Sequence, residues 1–181
     1  MLPMQRTTAQ LEAMLDGILA APVDAGPIEM IVRRPGVEQR EVVESGELSL
    51  DHGLVGDNWI DRIGKDGQPN RSAQITLMNA RVADAVAVTR ERWQLAGDQI
   101  YVDMDISHAN LPAGTRIQVG DAVLEISETP HTGCAKFASR FGKEALRFAN
   151  VGVGKTHRFR GVNAFIVEPG RFQMGDKITK L

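Results

Sequence analysis

The placement of glycine and proline restricts this chain more than any other feature. From residue 28 to the C-terminus they cut the sequence into short apolar runs, most of them too brief for a helix. Residues 28–33 and 40–44 read as two strands joined across Pro35-Gly36. Residues 74–78, 100–106, 115–119 and 122–126 follow as further strands, the last two separated by a tight turn at Gly120-Asp121. Residues 162–167 and 172–178, on either side of Pro169-Gly170, are expected to close the chain as a terminal hairpin. Strands in such hairpin-like succession predict an α+β fold that is mainly β, an antiparallel barrel with a few inserted helices.

The helical segments are fewer. Apolar side chains at 11, 14, 15, 18 and 19 predict an amphipathic helix over residues 8–19, with Thr7 or Thr8 as its N-cap and Pro22 beyond its end. This makes residues 1–25 a helical appendage and residues 26–181 the barrel domain. Asn79 is placed to cap a helix over 80–88. Residues 134–150 have helical spacing through Phe137, Phe141, Ala145 and Phe148. Residues 52–71 hold four glycines and Pro69 with little apolar periodicity, and read as a long loop of the kind that carries function.

Composition narrows the partners. With 181 residues the chain makes one domain, large enough to fold without a metal or disulfide staple. A formal net charge of -2 and a pI near 6.1 argue against nucleic acid or an anionic membrane as a general partner, and leave a small-molecule substrate. Glu12 and Asp16 interrupt the N-terminal apolar residues, so no signal-peptide core forms there. No run approaches the roughly 18–20 apolar residues of a membrane span, and a cytoplasmic location is expected. The single cysteine, Cys134, excludes an intrachain disulfide and a cysteine-rich zinc module.

That cysteine sits in the most informative stretch. Thr129-Pro130-His131-Thr132-Gly133-Cys134-Ala135-Lys136 follows a predicted strand and opens a predicted helix, with Arg140 one turn further on. Amide groups at a helix start and nearby cations favour a thiolate, which is a nucleophile and a soft metal ligand. A buried cysteine that merely fills space is the opposing reading.

Several elements in this order resemble the MOSC family, the molybdenum cofactor sulfurase C-terminal domain. Gly133-Cys134-Ala135-Lys136-Phe137 resembles the family's cysteine region, and Gly53-Leu54-Val55-Gly56-Asp57 its early glycine-rich element. Gln74-Ile75-Thr76-Leu77-Met78 and the stretch from Leu111 to Asp121 are similar to its intervening strands. Gly161-Val162-Asn163-Ala164 and Gly175-Asp176 resemble its closing segment. The resemblance covers the chain from about Ile28 onward and leaves out the N-terminal helix. It implies a barrel-like MOSC fold in which Cys134 binds the molybdenum of the pterin cofactor (molybdopterin) or carries sulfur as a persulfide. In multidomain relatives a pyridoxal-phosphate desulfurase supplies that sulfur. Here pyridoxal phosphate is expected only through a separate partner protein. Other relatives reduce N-hydroxylated compounds with electrons from redox partners.

On this reading Cys134 is the metal ligand or sulfur carrier, and His131 supports its thiolate or joins it in a metal site. Lys136 and Arg140 are candidates for binding the cofactor's phosphate or a substrate carboxylate. Arg71 is a second anion contact, Asp57 orients the glycine-rich loop, and Asn163 is a candidate for hydrogen bonding to a pterin edge. Two alternatives stay open: a binding module without catalysis on the same barrel, and a zinc hydrolase built on His131 and Cys134.

Overall fold

Residues 4–181 are described by the structure, a computed structural model; the first three residues of the expected N-terminal segment lie outside the described residues. The strands are β1 (Ala25–Arg33), β2 (Glu41–Val43), β3 (Ser45–Ser49), β4 (Gly53–Leu54), β5 (Ile75–Asn79) and β6 (Ile100–Val102). They continue with β7 (Arg116–Val119), β8 (Ala122–Ile126), β9 (Val162–Glu168), β10 (Gly170–Gln173) and β11 (Lys177–Lys180). Seven of them close a barrel in the order β1, β6, β5, β9, β8, β7, β11 and back to β1. Neighbours are antiparallel except β5 and β6, which pair in parallel. The helix that follows β5 supplies the crossover that a parallel pair requires. Strand β2 extends β1 outside the ring, and β3, β4 and β10 form a separate small sheet.

Alternation along each strand separates two cores. Ile75, Leu77, Ile100, Val102, Leu124, Ile126, Ala164 and Ile166 fill the barrel. Met78 and Tyr101, pointing outward from the same strands, pack against the helices. In β1 the register shifts between Ile28 and Met30, so Ile28 and Ile31 face the barrel while Met30 and Val32 face the helical layer. The helices are α1 (Thr8–Glu12), α2 (Leu15–Leu19), α3 (Ala80–Ala87), α4 (Ala135–Phe141), α5 (Lys143–Asn150) and α6 (Val153–Thr156). Among the described residues no helix is long and apolar enough to cross a membrane.

The structure departs from the sequence reading in four places. Residues 8–19 form two short helices rather than one. Leu11 is fully buried in the helical core, and Arg6 donates to the carbonyls of Asp84 and Ala85 at the end of α3. The helix expected over 134–150 breaks at Gly142, whose φ is +95° and where a Cβ would stand 2.6 Å from Gln5 Oε1. Only 100–102 of the expected strand 100–106 pairs as strand. The terminal hairpin does not form: β9 lies between β5 and β8, β10 joins β3, and β11 closes the barrel between β7 and β1. Closure requires a strand at that seam, and this requirement overrides the local turn at Pro169-Gly170.

Candidate functional site

The chain leaves β8 at Ile126, and three side chains fix its path to the cysteine. Ser127 Oγ accepts from the Thr129 amide at 3.0 Å. Asn163, buried on β9, donates through Nδ2 to the carbonyls of Thr129 at 3.1 Å and Pro130 at 3.2 Å. Asn150, at the end of α5, brackets Gly133: its Oδ1 accepts from the Gly133 amide at 2.9 Å and its Nδ2 donates to the Gly133 carbonyl at 3.2 Å. Cys134 then stands at the N-cap of α4 with its thiol exposed. The amide of Phe137 lowers the thiol below its ordinary range. Partial burial opposes this, and the Lys136 amide and the charges of Arg160 and Arg140 add to it.

Three residues earlier, His131 Nε2 lies 2.8 Å from Asp98 Oδ1. Asp98 is completely buried, and its second oxygen accepts from Arg160 Nη1 at 2.6 Å. Burial pushes the Asp98 carboxyl up, but Arg160 and His131 outweigh it and hold the group below the usual carboxylate range. Arg160 also donates to the Ala96 carbonyl and covers the Phe137 ring at 5.1 Å from its centroid. Gly161 makes this cluster possible. At φ +122° a Cβ there would stand 2.5 Å from the Leu77 carbonyl oxygen and 2.9 Å from His131 Cδ2.

His131, Lys136, Arg140 and Arg160 line a cleft of about 460 Å³, completed by Arg34, Arg40 and Arg62 from the loops after β1 and β4. Arg34 is neutralised from behind by buried Asp57, at 2.7 Å. Glu38 bridges Lys136 at 3.0 Å and Arg140 at 2.6 Å, and these two cations hold its carboxyl down at about 2. Arg40 and Arg62 make no ion pair among the described residues. Burial disfavours both their charges, as do Arg140 and Arg34 beside Arg40, and Arg34 beside Arg62. The Nε atoms of Arg40 and Arg160 are buried without a hydrogen-bond partner among the described residues. An arrangement of this kind binds anions, because an incoming anion relieves both the like-charge repulsion and the unmet donors.

Of the residues singled out from sequence, His131, Lys136 and Arg140 line this cleft, and Cys134 lies beside it, within reach of the Lys136 amide and the Arg140 charge. Asp57 stands behind the cleft and holds Arg34. Asn163 lies under the loop that carries the cysteine, with its amide donors committed to that loop. Arg71 does not line the cleft: it donates to the Ile166 carbonyl at 3.4 Å and lies over the Phe165 ring. Sequence reasoning missed Arg34, Glu38, Arg40, Arg62, Asp98 and Arg160. The charge-dense turn from Arg33 to Arg40 was the available signal for three of them. Asp98 and Arg160 are 62 positions apart and become partners only in the fold.

Comparison with known proteins agrees with this architecture. A family model described as the MOSC domain matches residues 70–179, a span that includes the cysteine loop and barrel strands β5 to β9. No protein of curated function matches the sequence. The YuaD protein from Bacillus subtilis superposes with a TM-score of 0.62 at 16% identity, over 85% of this chain and 94% of that one. YiiM from Escherichia coli superposes with a TM-score of 0.55 at 16% identity, over 86% of this chain and 69% of that one. At such identities these two structures speak for the fold. With the family model matching more than half of its length, the chain belongs to the MOSC domain family.

Proposed function

We propose that the protein is a cytoplasmic oxidoreductase that holds the molybdenum cofactor in the cationic cleft, with Cys134 Sγ as thiolate ligand. Its substrates would be small N-hydroxylated compounds, and its electrons would come from a separate redox partner. One observation carries this reading: an exposed thiol held below its ordinary range adjoins a cleft where Arg40 and Arg62 make no ion pair among the described residues. The donor set fits a phosphate-bearing pterin with a thiophilic metal. Guanidiniums suit phosphate oxygens, the unpartnered Nε atoms of Arg40 and Arg160 offer directional donors, and a thiolate suits a soft metal. When bound, the cofactor would supply the redox chemistry.

The chain's own residues bind, orient and hold protons. The lowered thiol pKa makes the ligating form of Cys134 more available near neutral pH. Arg40 and Arg62 bind and orient an anionic group. Lys136 and Arg140 exchange the Glu38 carboxylate for the incoming anion. The Asp98 carboxylate accepts from His131 Nε2 and so orients a ring that lines the cleft.

The exposure of Cys134 also suits a carrier role. Its thiolate would attack the outer sulfur of a desulfurase persulfide, forming a new S–S bond as the desulfurase cysteine leaves as thiolate. Pyridoxal phosphate would then belong to that partner. Expression in a cofactor-competent host, followed by assay of molybdenum and pterin, separates the readings. Molybdenum near one per chain, lost in Cys134→Ser, is the expected result. Equal molybdenum in both proteins removes Cys134 as ligand. A persulfide on Cys134 without retained metal favours the carrier, and neither species points to a binding module.

A further inference from the structure

We infer that a second cleft, between residues 127–132 and the turn over 154–161, binds a small molecule carrying a carboxylate, anchored by Arg158. Its identification as the substrate side of the site rests on the function proposed above; the carboxylate binding does not. The cleft encloses about 440 Å³, within the range of small-molecule sites. It shares His131 and Arg160 with the cationic cleft, so a ligand here meets two side chains that also line that cleft.

Arg158 gives the cleft its chemistry. The side chain is half-buried, burial disfavours its charge, and it makes no ion pair among the described residues. Its Nη1 donates to the Leu111 carbonyl at 2.5 Å and faces that of Ile106 at 3.5 Å, which fixes one edge of the guanidinium. The other edge, Nε and Nη2, has no hydrogen bond among the described residues. Two parallel N–H groups held in this way match the two oxygens of a carboxylate. The backbone turn is fixed as well: the Phe159 amide donates to Gly154 and the Gly161 amide to the Arg158 carbonyl, both at 2.8 Å. The Arg158 charge is felt inside the cleft, because with burial it disfavours protonation of His108. Lys155 adds a second cation at the rim against the exposed carboxylate of Glu128, and Pro130, Ala149 and Val162 offer walls for an apolar body. An aromatic or aliphatic monocarboxylate meets these requirements together.

Benzoate, benzamide and inorganic phosphate are suitable probes, titrated into the ¹⁵N-labelled full chain and followed by amide shifts. Benzoate is expected to shift amides in 127–132 and 154–161, benzamide to leave them unmoved, and phosphate to act on 34–40 and 58–62. In Arg158→Gln the benzoate Kd should rise at least about tenfold, the value of one charge-assisted pairing. Arg158→Lys keeps the charge and a rotatable ammonium donor group but loses the planar fork, and should weaken benzoate similarly if Arg158→Gln fails to fold. Cys134→Ser should bind benzoate like wild type even though it is expected to lose molybdenum, so failure of the cofactor reading is distinguishable from failure here. Equal effects of benzoate and benzamide would overturn the inference. So would benzoate shifts confined to 34–40, phosphate shifts over 154–161 as strong as those of benzoate, or unchanged affinity in a folded Arg158 variant.

Discussion

Asp57→Ala tests whether the cationic cleft is built from behind by buried charge. The two Asp57 oxygens accept five hydrogen bonds: from Arg34 N at 2.8 Å, Nε at 2.8 Å and Nη2 at 2.7 Å, from Trp59 N at 3.1 Å, and from Gln99 Nε2 at 3.2 Å. The Arg34 side chain is 6% exposed and the Asp57 side chain 0%. Removing the carboxylate therefore leaves a buried guanidinium whose one remaining hydrogen bond among the described residues is to the Gly97 carbonyl. Breaking a buried pair from one side costs about 3–5 kcal/mol. In a domain of this size each kcal/mol lowers Tm by roughly 2–4 °C, so Asp57→Ala should melt about 6–20 °C below wild type in far-UV circular dichroism. Adding Arg34→Met removes the unpaired charge, and the double variant should melt above Asp57→Ala alone. A drop of less than about 3 °C in the single variant would refute the reasoning. A double variant that melts no higher than the single one would refute it too.

Three further outcomes follow from the site. Donors around Cys134 favour its thiolate, so alkylation of the folded protein should show its inflection at lower pH than in denaturant, where cysteine titrates near about 8.5. Arg140→Gln should move the inflection up, while Lys136→Ala should leave it in place because Lys136 acts through its amide; no inflection below the denatured value would count against this. Glu38 stays ionised down to about pH 2 and so competes with anions for Lys136 and Arg140 throughout the neutral range. Glu38→Gln should tighten phosphate binding by roughly two- to fivefold in calorimetry, and an unchanged Kd would show that the bridge does not compete. Gly161→Ala should push His131 off Asp98 and remove the hydrogen-bonded Nε2–H signal from its ring spectrum; a wild-type ring signal would show that the backbone absorbs the added methyl.

Much of the architecture is written in local pattern. Asn79 caps α3 by accepting from the amides of Arg81 and Val82, and Gly120-Asp121 turns β7 into β8 with Val119 opposite Ala122. Period-two alternation marks the faces of β5, β8 and β9, and the cysteine loop was legible because its glycine, thiol and cations lie within a few positions. Each of these depends on backbone preferences and hydrogen bonds that span one turn or one strand.

Contacts between distant residues decided the rest. Residues 172–178 carry the apolar pattern of a hairpin arm, yet the barrel seam between Val119 and Gly26 takes Ile178 as its closing strand. The helical spacing over 134–150 gives way at Gly142, whose φ of +95° ends α4, and Gln5, far off in sequence, fills the space a side chain there would need. Arg71 reads as an anion contact in isolation, but the fold sets it over Phe165, while Arg40, Arg62 and Arg160 arrive at the cleft from separate loops. Local sequence determined which segments would be strands, caps and turns, because those choices are settled among neighbours. Strand partners and the charges that share a buried space were settled only by closure of the barrel, which brings together residues that carry no mark of one another along the chain.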